Sequence, residues 1–273
     1  MLEKQRVREK DPVSAWMIAL PSSEEFHSPG PADFEFPPFV AGITKPMLIV
    51  VVGTILVGLF FFLAVRRASI VPGKLQFAAE GFYGFVRNSI ATDAIGREGI
   101  KYVPYLATVF AFLIVMNIAG IVPFSQFPAT ARIAIPLFLA VITWIIYNYV
   151  GIKRQGFGGY FKNMMFPAGV PAVIYPLLAP IEFLSTVVFR PITLTLRLTF
   201  NMFAGHLVLL LCILGGEFLL LHVGGLIGYS AGAVAILFGI VMTFFEGFVQ
   251  LLQAYVFVLL SAIYIGGALT HDH

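Results

Sequence analysis

Ionisable side chains are rare in the C-terminal part of this chain, where they interrupt long apolar stretches. They are Glu182, Arg190, Arg197, His206, Glu217, His222 and Glu246. An arginine at the centre of a membrane helix costs about 2.5–3.5 kcal/mol on insertion scales, so such groups are usually functional. Near the ends of the stretches, a structural ion pair or a side chain that reaches the headgroups is an equal alternative. Arg197 lies near the middle of its stretch with no acidic residue three or four positions away, which favours a functional role.

The spacing of these residues separates Arg197 from His206. Each residue of an α-helix turns by about 100°, so Asn201 lies within about 40° of Arg197 and shares its face. His206 is nine residues beyond Arg197, which places it about 180° around the helix. Glu217 returns to within about 20° of the face of His206. The spacing therefore predicts Arg197 on one face of the helix, with His206 and Glu217 on the opposite face.

A second set of polar side chains follows the final apolar stretch. Glu246 and Gln253 are seven residues apart and share a helical face, and Gln250 belongs to the same polar stripe. If the last two helices run antiparallel, His206 and Glu246 lie at similar depth, and Gln253 lies near the level of Arg197. A histidine and carboxyl groups in series can relay protons. A guanidinium does not deprotonate in proteins, so the pattern is typical of a proton path that stops at a fixed positive charge.

Composition predicts an integral membrane protein. Hydrophobic residues make up 59% of the chain and charged residues only 11%, against about 25% charged residues in soluble domains. The net charge of +3 is too small to favour binding of nucleic acid. The sequence contains no phosphate-binding loop of the G-x-x-x-x-G-K-[ST] type. We therefore expect an all-α protein in contact with lipid, without a bound nucleotide, cofactor or metal.

Five apolar segments are long enough to cross a hydrocarbon core of about 30 Å. They lie at about 46–66, 102–122, 133–152, 171–214 and 223–267. Apolar residues also recur at helical spacing over about 72–90, which predicts an amphipathic helix on the membrane surface. Residues 46–273 thus form a single membrane domain. Residues 1–45 are polar and proline-rich, and an extramembrane segment is preferred to a signal peptide because no small-residue cleavage site follows their short apolar run.

The last two segments each exceed 40 residues, about twice the length that a crossing requires. Either each breaks into two spans, or each is one long and strongly tilted helix. Because the final stretch contains no proline, we prefer two long tilted helices that form a hairpin around Gly215–Gly225. Basic residues concentrate in the loops after the first and third spans. Such loops stay cytoplasmic, which predicts the N-terminus outside and the C-terminus in the cytoplasm.

The residues around Arg197 resemble a known family. The resemblance is carried by Arg190-Pro191, Leu196-Arg197-Leu198, Asn201-Met202-Phe203-Ala204-Gly205-His206 and Gln253-Ala254-Tyr255-Val256-Phe257. The segment from Asn117 to Pro123 is similar to the end of the family's second span. From about Pro46 to its C-terminus, the chain resembles subunit a of the rotary F-type ATP synthases, the proton-channel subunit of the membrane sector.

This resemblance implies a role for each matching residue. Arg197 would be the essential arginine that faces the ring of c subunits, displaces the proton from each passing carboxyl group and separates two half-channels. Asn201 and Gln253 would be polar neighbours that support it. His206 and Glu246 would form an acid–histidine pair across two helices, and family members differ in which helix carries which partner.

The resemblance also implies a setting for the chain. Glu182 would lie on the cytoplasmic proton path, and Glu217 would belong to the path from the outside. The chain would have no catalytic site of its own, and would work with the c ring, the b-subunit peripheral stalk and, indirectly, the other synthase subunits. A bacterial plasma membrane is preferred, with an energy-transducing organelle membrane as the alternative.

Two other classes of protein compete with this interpretation. A secondary transporter with a substrate site at the midplane predicts inverted repeats and broken helices in both halves of the chain. No repeat is evident in the sequence, and the buried charges fall in one half only. A non-transporting scaffold would leave an arginine among polar residues in an apolar stretch without a function. A transporter would work alone in a liposome, whereas a synthase subunit would be inert without its c ring.

Overall fold

A computed structural model of the chain describes residues 29–30, 44–66, 69–122, 128–166, 174–223 and 225–269. Five helices in these ranges are long and apolar enough to cross a membrane. This confirms the prediction of an all-α membrane protein. Most of the predicted extramembrane segment 1–45 and the first residues of the predicted fourth span, 171–173, lie outside the described residues.

The first three spans are single helices close to their predicted positions. Helix α1 comprises Lys45–Arg66, and α2, Lys74–Phe85, continues through a π-helical segment, Val86–Thr92, to Ile95. A 3₁₀ segment, Arg97–Tyr102, leads into α3, Val103–Ile118. Helix α4 comprises Ala134–Gln155 and follows a short 3₁₀ turn, Ala129–Ala131. Helix α5, Phe157–Met165, was not predicted, and its separation from α4 depends on the positive φ of 73° at Gly156, which favours glycine.

The fourth span is one helical run that changes its winding twice. Helix α6, Tyr175–Leu184, is followed by a π-helical segment, Ser185–Phe189, and by α7, Arg190–Phe218. A second π-helical segment, Leu219–Val223, ends this run. Helix α8, Gly225–Leu269, is the fifth span. Both runs exceed the thickness of a hydrocarbon core, and their tilt stays a prediction.

The hairpin between the last two spans turns later than predicted. The sequence placed the turn around Gly215–Gly225, but the helical run continues to Val223, and α8 begins at Gly225 with a φ of 66°. Gly215 and Gly216 lie inside the helix. Small residues in a membrane helix let a neighbouring helix approach closely. A Cβ atom on Gly216 would lie 2.8 Å from Cγ1 of Ile236, so this glycine serves packing.

The chain divides into two compact units. The smaller unit includes residues 207–242, and glycines bring its two helices together. A Cβ atom on Gly232 would lie 2.7 Å from Cγ of Leu220 and 3.0 Å from the carbonyl oxygen of Gly216. Gly239 lies directly against Cys212. The smaller unit is therefore a closely packed helical hairpin.

The larger unit comprises residues 35–206 and 243–273. Its apolar core joins the π-helical segment after α2 with α3, α4, α7 and α8. The buried side chains of α7 in this core are Leu194, Leu198 and Met202, and those of α8 are Ala254, Phe257, Val258 and Ala262. Leu194, Leu198 and Met202 follow the spacing of one helical face. This packing fixes which face of α7 points away from the rest of the unit.

Candidate functional site

Arg197 lies on the face of α7 that points away from the core. Arg197 is exposed, and so are Thr193, Phe200 and Ala204, which share its face at helical spacing. Within the described part of the chain, no acidic side chain forms an ion pair with Arg197. A guanidinium on the outer face of a membrane helix is costly in lipid. This position therefore calls for a polar or acidic group from outside the chain.

His206 and Glu246 meet inside the larger unit. His206 Nδ1 lies 3.7 Å from Glu246 Oε1, and both side chains are buried. Gly205 packs beside this pair, since a Cβ atom at that position would lie 3.6 Å from Cγ of Glu246, an ordinary van der Waals distance. The structure thus brings together two residues that the sequence placed at similar depth. A separation just beyond hydrogen-bond distance is one that a small side-chain movement or a bridging water can close.

The polar stripe of α8 continues this pair into the core. Gln250 is fully buried, and its Nε2 donates a hydrogen bond of 3.2 Å to Glu246 Oε1. Glu246 Oε2 and Gln250 Oε1 form no hydrogen bond with the described residues. Buried polar atoms are usually paired, so these two oxygens mark a place where a proton or a water molecule can be bound. The three side chains form a continuous buried polar cluster.

Asn117 ties the second span to this path. Its Nδ2 donates a 3.0 Å hydrogen bond to the backbone oxygen of Gln250, and its Oδ1 accepts a 2.6 Å bond from Thr130 Oγ1. Both Asn117 and Thr130 are buried. From the sequence, Asn117 was predicted only as part of the family resemblance, and Thr130 was not predicted as a site residue. In the sequence, Asn117 stands out as the only amide side chain in the second apolar segment, 102–122.

The other predicted site residues are less deeply buried than His206 and Glu246. Asn201 and Gln253 are half-buried, as is Glu182 near the end of α6. Glu217 is exposed on the hairpin of the smaller unit, whereas His206, which the helical spacing put on the same face, is buried in the larger unit. Helical spacing alone assumes one uniform helix packed around one core. The two ends of α7 instead belong to different packing environments.

Arg190 lies in an aromatic cluster about two turns before Arg197 on the same helix, α7. Its guanidinium carbon is 5.2 Å from the centre of the Tyr264 ring, a cation–π distance. Tyr264 in turn packs edge-on against Tyr147. Burial raises the pKa of Tyr160, and the nearby positive charge of Arg190 acts against this rise. Arg190 therefore has a structural environment of its own, distinct from the exposed position of Arg197.

No group of three His, Cys, Asp or Glu side chains in the described ranges could hold a metal ion. The arrangement that does exist is a buried acid, histidine and glutamine on one side of α7, with an exposed arginine on another side. Proton exchange is the chemistry that such groups can perform without a cofactor. Fold and site thus define a multi-span α-helical membrane protein with a buried acid–histidine pair.

Comparison with known proteins gives the family. The family model for the ATP synthase A chain matches residues 47–266. The ATP synthase subunit a of a Nocardioides species is 44% identical, over 95% of this chain and 99% of that protein. The proteins of the same name from Frankia alni and Rhodococcus erythropolis are 43% and 42% identical, over 92% and 100% of this chain. The chain belongs to the ATP synthase A chain family.

Family membership confirms the resemblance to subunit a of the ATP synthases. It supports a role in proton transport and ATP synthesis as a membrane-sector subunit that assembles with other ATP synthase subunits. Together with the five apolar helices, it identifies an integral protein of a bacterial membrane.

Proposed function

We propose that this chain offers two offset half-channels to the carboxyl groups of a c-subunit ring, with Arg197 as the barrier between them. The observation that carries the proposal is the exposed position of Arg197 on α7. Its positive charge cannot be neutralised by a described side chain of the same chain, and lipid would not stabilise it. A carboxyl group that passes on a neighbouring subunit would supply the missing partner.

The path from the outside would run through His206 and Glu246. Their 3.7 Å separation and the hydrogen bond from Gln250 to Glu246 support a proton relay, because a histidine and a carboxyl group can each bind and release a proton. Glu217 is our candidate for the outer part of this path. Asn201, Gln250 and Gln253 would stabilise the polar surroundings of the path and of Arg197.

The path to the cytoplasm would begin near Glu182. A c-subunit carboxyl group would cross the lipid in its neutral form, since a bare carboxylate there is costly. It would lose its proton toward Glu182 and then meet Arg197. One proton that moves through 100 mV releases about 2.3 kcal/mol, so several protons must pass for each ATP, which a ring of many c subunits provides. The b-subunit stalk would hold the chain against the rotation.

Replacement of Arg197 tests this proposal directly. In membranes with the complete synthase, we expect Arg197→Ala to abolish ATP-driven proton pumping, while passive proton flux through the membrane sector persists or rises. The reason is that the fixed charge blocks a leak between the half-channels as well as releasing the proton. Pumping is followed with a pH-sensitive dye, and passive flux after removal of the catalytic sector.

Arg87→Ala is the matched control, because Arg87 is also exposed but lies in the segment after α2, away from the polar path. This variant should pump like the wild type. Normal pumping by Arg197→Ala would show that the exposed arginine is not the barrier. Loss of passive flux together with pumping would point to a failure of assembly, which the amount of c ring that co-purifies with each variant measures separately.

A further inference from the structure

The helix that carries Arg197 has a break in its hydrogen bonding shortly before this residue. In the π-helical segment Ser185–Phe189, the backbone N–H of Arg190 bonds to the carbonyl oxygen of Ser185, five residues earlier. Pro191 follows immediately and has no N–H to donate. In an α-helix the N–H of residue 191 would bond to the carbonyl oxygen of Val187, and in a π-helical turn it would bond to that of Thr186. The N–H of Arg190, which would serve Thr186 in an α-helix, bonds to Ser185 instead. Each of the two carbonyl groups has therefore lost a helical donor.

Two side chains of α4 supply the missing donors. Trp144 Nε1 donates a 2.9 Å hydrogen bond to the carbonyl oxygen of Val187, and the Tyr147 hydroxyl donates a 2.7 Å bond to that of Thr186. Tyr147 and Thr186 are buried. Trp144 and Tyr147 are three residues apart, so they occupy one face of α4. Each donor meets one of the two carbonyl groups that the shifted bond of Arg190 and the missing N–H of Pro191 leave open.

The π-helical segment sets the angle between the residues on its two sides. One extra residue in a helical turn rotates everything after it by about 100° relative to everything before it. Glu182 precedes the segment and Arg197 follows it. Arg197 is fifteen residues after Glu182. In an uninterrupted α-helix this separation would place Arg197 about 60° to one side of Glu182. A one-residue π insertion changes the angle to about 40° on the other side.

We infer that Trp144 and Tyr147 are positioning residues, which hold the Pro191 break of α7 in its π-helical form and thereby fix the orientation of Arg197 relative to Glu182. The inference rests on the proposed function, in which Arg197 and Glu182 serve the same passing carboxyl group. Neither aromatic side chain touches a transported proton. Their effect is exerted through the two backbone carbonyl groups alone.

Tyr147→Phe tests the inference, since it removes one hydroxyl group and keeps the ring. We expect at least about a threefold loss of ATP-driven pumping in the assembled synthase, because a buried carbonyl group is left without its donor. Tyr105→Phe is the matched control. Its hydroxyl lies 2.7 Å from Thr143 Oγ1, which keeps a bond to the carbonyl oxygen of Leu139, so this variant should pump within about 1.5-fold of the wild type.

Pro191→Ala distinguishes this role from simple packing. It restores one backbone N–H, which either carbonyl group can accept. The loss of pumping rate caused by Tyr147→Phe or by Trp144→Phe should therefore be smaller in a Pro191→Ala background than in the wild type. Additive effects of the paired substitutions would overturn the inference. So would equal behaviour of Tyr147→Phe and Tyr105→Phe.

A labelling experiment reads the orientation of α7 itself. The variants Ala204→Cys and Met202→Cys are made in a Cys212→Ala background and studied in lipid nanodiscs. Ala204 shares the exposed face of Arg197, whereas Met202 is buried. The Ala204→Cys variant should therefore react faster with a small thiol reagent than the Met202→Cys variant. Tyr147→Phe should reduce this difference, and an unchanged ratio would argue against control of orientation. If Arg197→Ala itself pumps normally, the proposed function fails; if it blocks pumping while Tyr147→Phe does not, only the present inference fails.

Discussion

At the scale of single residues, the site depends on which polar atoms are buried together. His206, Glu246 and Gln250 are all buried, so each would destabilise the apolar interior if it stood alone. Their proximity reduces this cost, since Gln250 donates a hydrogen bond to Glu246 and His206 lies 3.7 Å from it. Arg197 has the opposite environment, since its face of α7 is open. The same helix therefore presents a buried histidine and an exposed arginine.

Exchange of the two buried partners is a prediction at this scale. We expect His206→Glu alone to impair pumping by about tenfold or more, because it places two carboxyl groups side by side in a buried site, where one must stay protonated. The double variant with His206→Glu and Glu246→His restores one acid and one histidine at the same separation and should recover a substantial part of the pumping rate. Initial rates of ATP-driven acidification measure both variants. A double variant that is no better than the single one would mean that the pair is not interchangeable.

At the scale of helices, close packing is achieved by small residues. In the hairpin of the smaller unit, Gly216 and Gly232 are buried, and a methyl group on either would overlap the facing helix. Helices in a membrane gain little from apolar burial against each other, so close van der Waals contact and small residues determine their association. The hairpin therefore depends on these glycines, of which Gly216 lies in the segment predicted as the turn and Gly232 lies beyond it.

Gly232→Ala tests this dependence. We expect it to destabilise the protein by about 1–3 kcal/mol, because the new methyl group meets the Leu220 side chain and the backbone of Gly216 with little room to move. Gly58→Ala on α1 is the control, since a Cβ atom there meets nothing within 4 Å. Unfolding in mixed micelles, followed by circular dichroism, compares the two variants. Equal stability of both would show that the hairpin can relax around a larger residue.

At the scale of the whole molecule, loop charge sets the orientation in the membrane. Lys101 precedes the second span, and Lys153, Arg154 and Lys162 follow the third. Arg154 also forms an ion pair with Glu98, so these two loops meet on one side. Since basic loops are retained in the cytoplasm, this side should be cytoplasmic, and the turn before α8 should be outside.

Labelling with a membrane-impermeant thiol reagent tests the orientation. In a Cys212→Ala background, Leu226→Cys near the turn should react in intact cells, whereas Lys162→Cys should react only after permeabilisation, because both positions are exposed on opposite sides of the membrane under this topology. The reverse pattern would place the C-terminus outside. It would also exchange the two proposed proton paths.

The sequence by itself determined the class of protein and its five spans, and it singled out the residues of the proposed proton path. Apolar length, scarce charge and the Arg-Leu-x-x-Asn-Met pattern around Arg197 are local properties, which helical periodicity converts directly into faces and depths. Only the tertiary structure decided which polar groups are paired. The bond from Asn117 to Gln250 joins residues far apart in the chain, and the angle between Glu182 and Arg197 depends on a π-helical segment, Ser185–Phe189, held by side chains of another helix. These features could not be predicted because they arise from contacts between helices, where a carbonyl group freed by proline is stabilised by whichever donor the packing brings within reach.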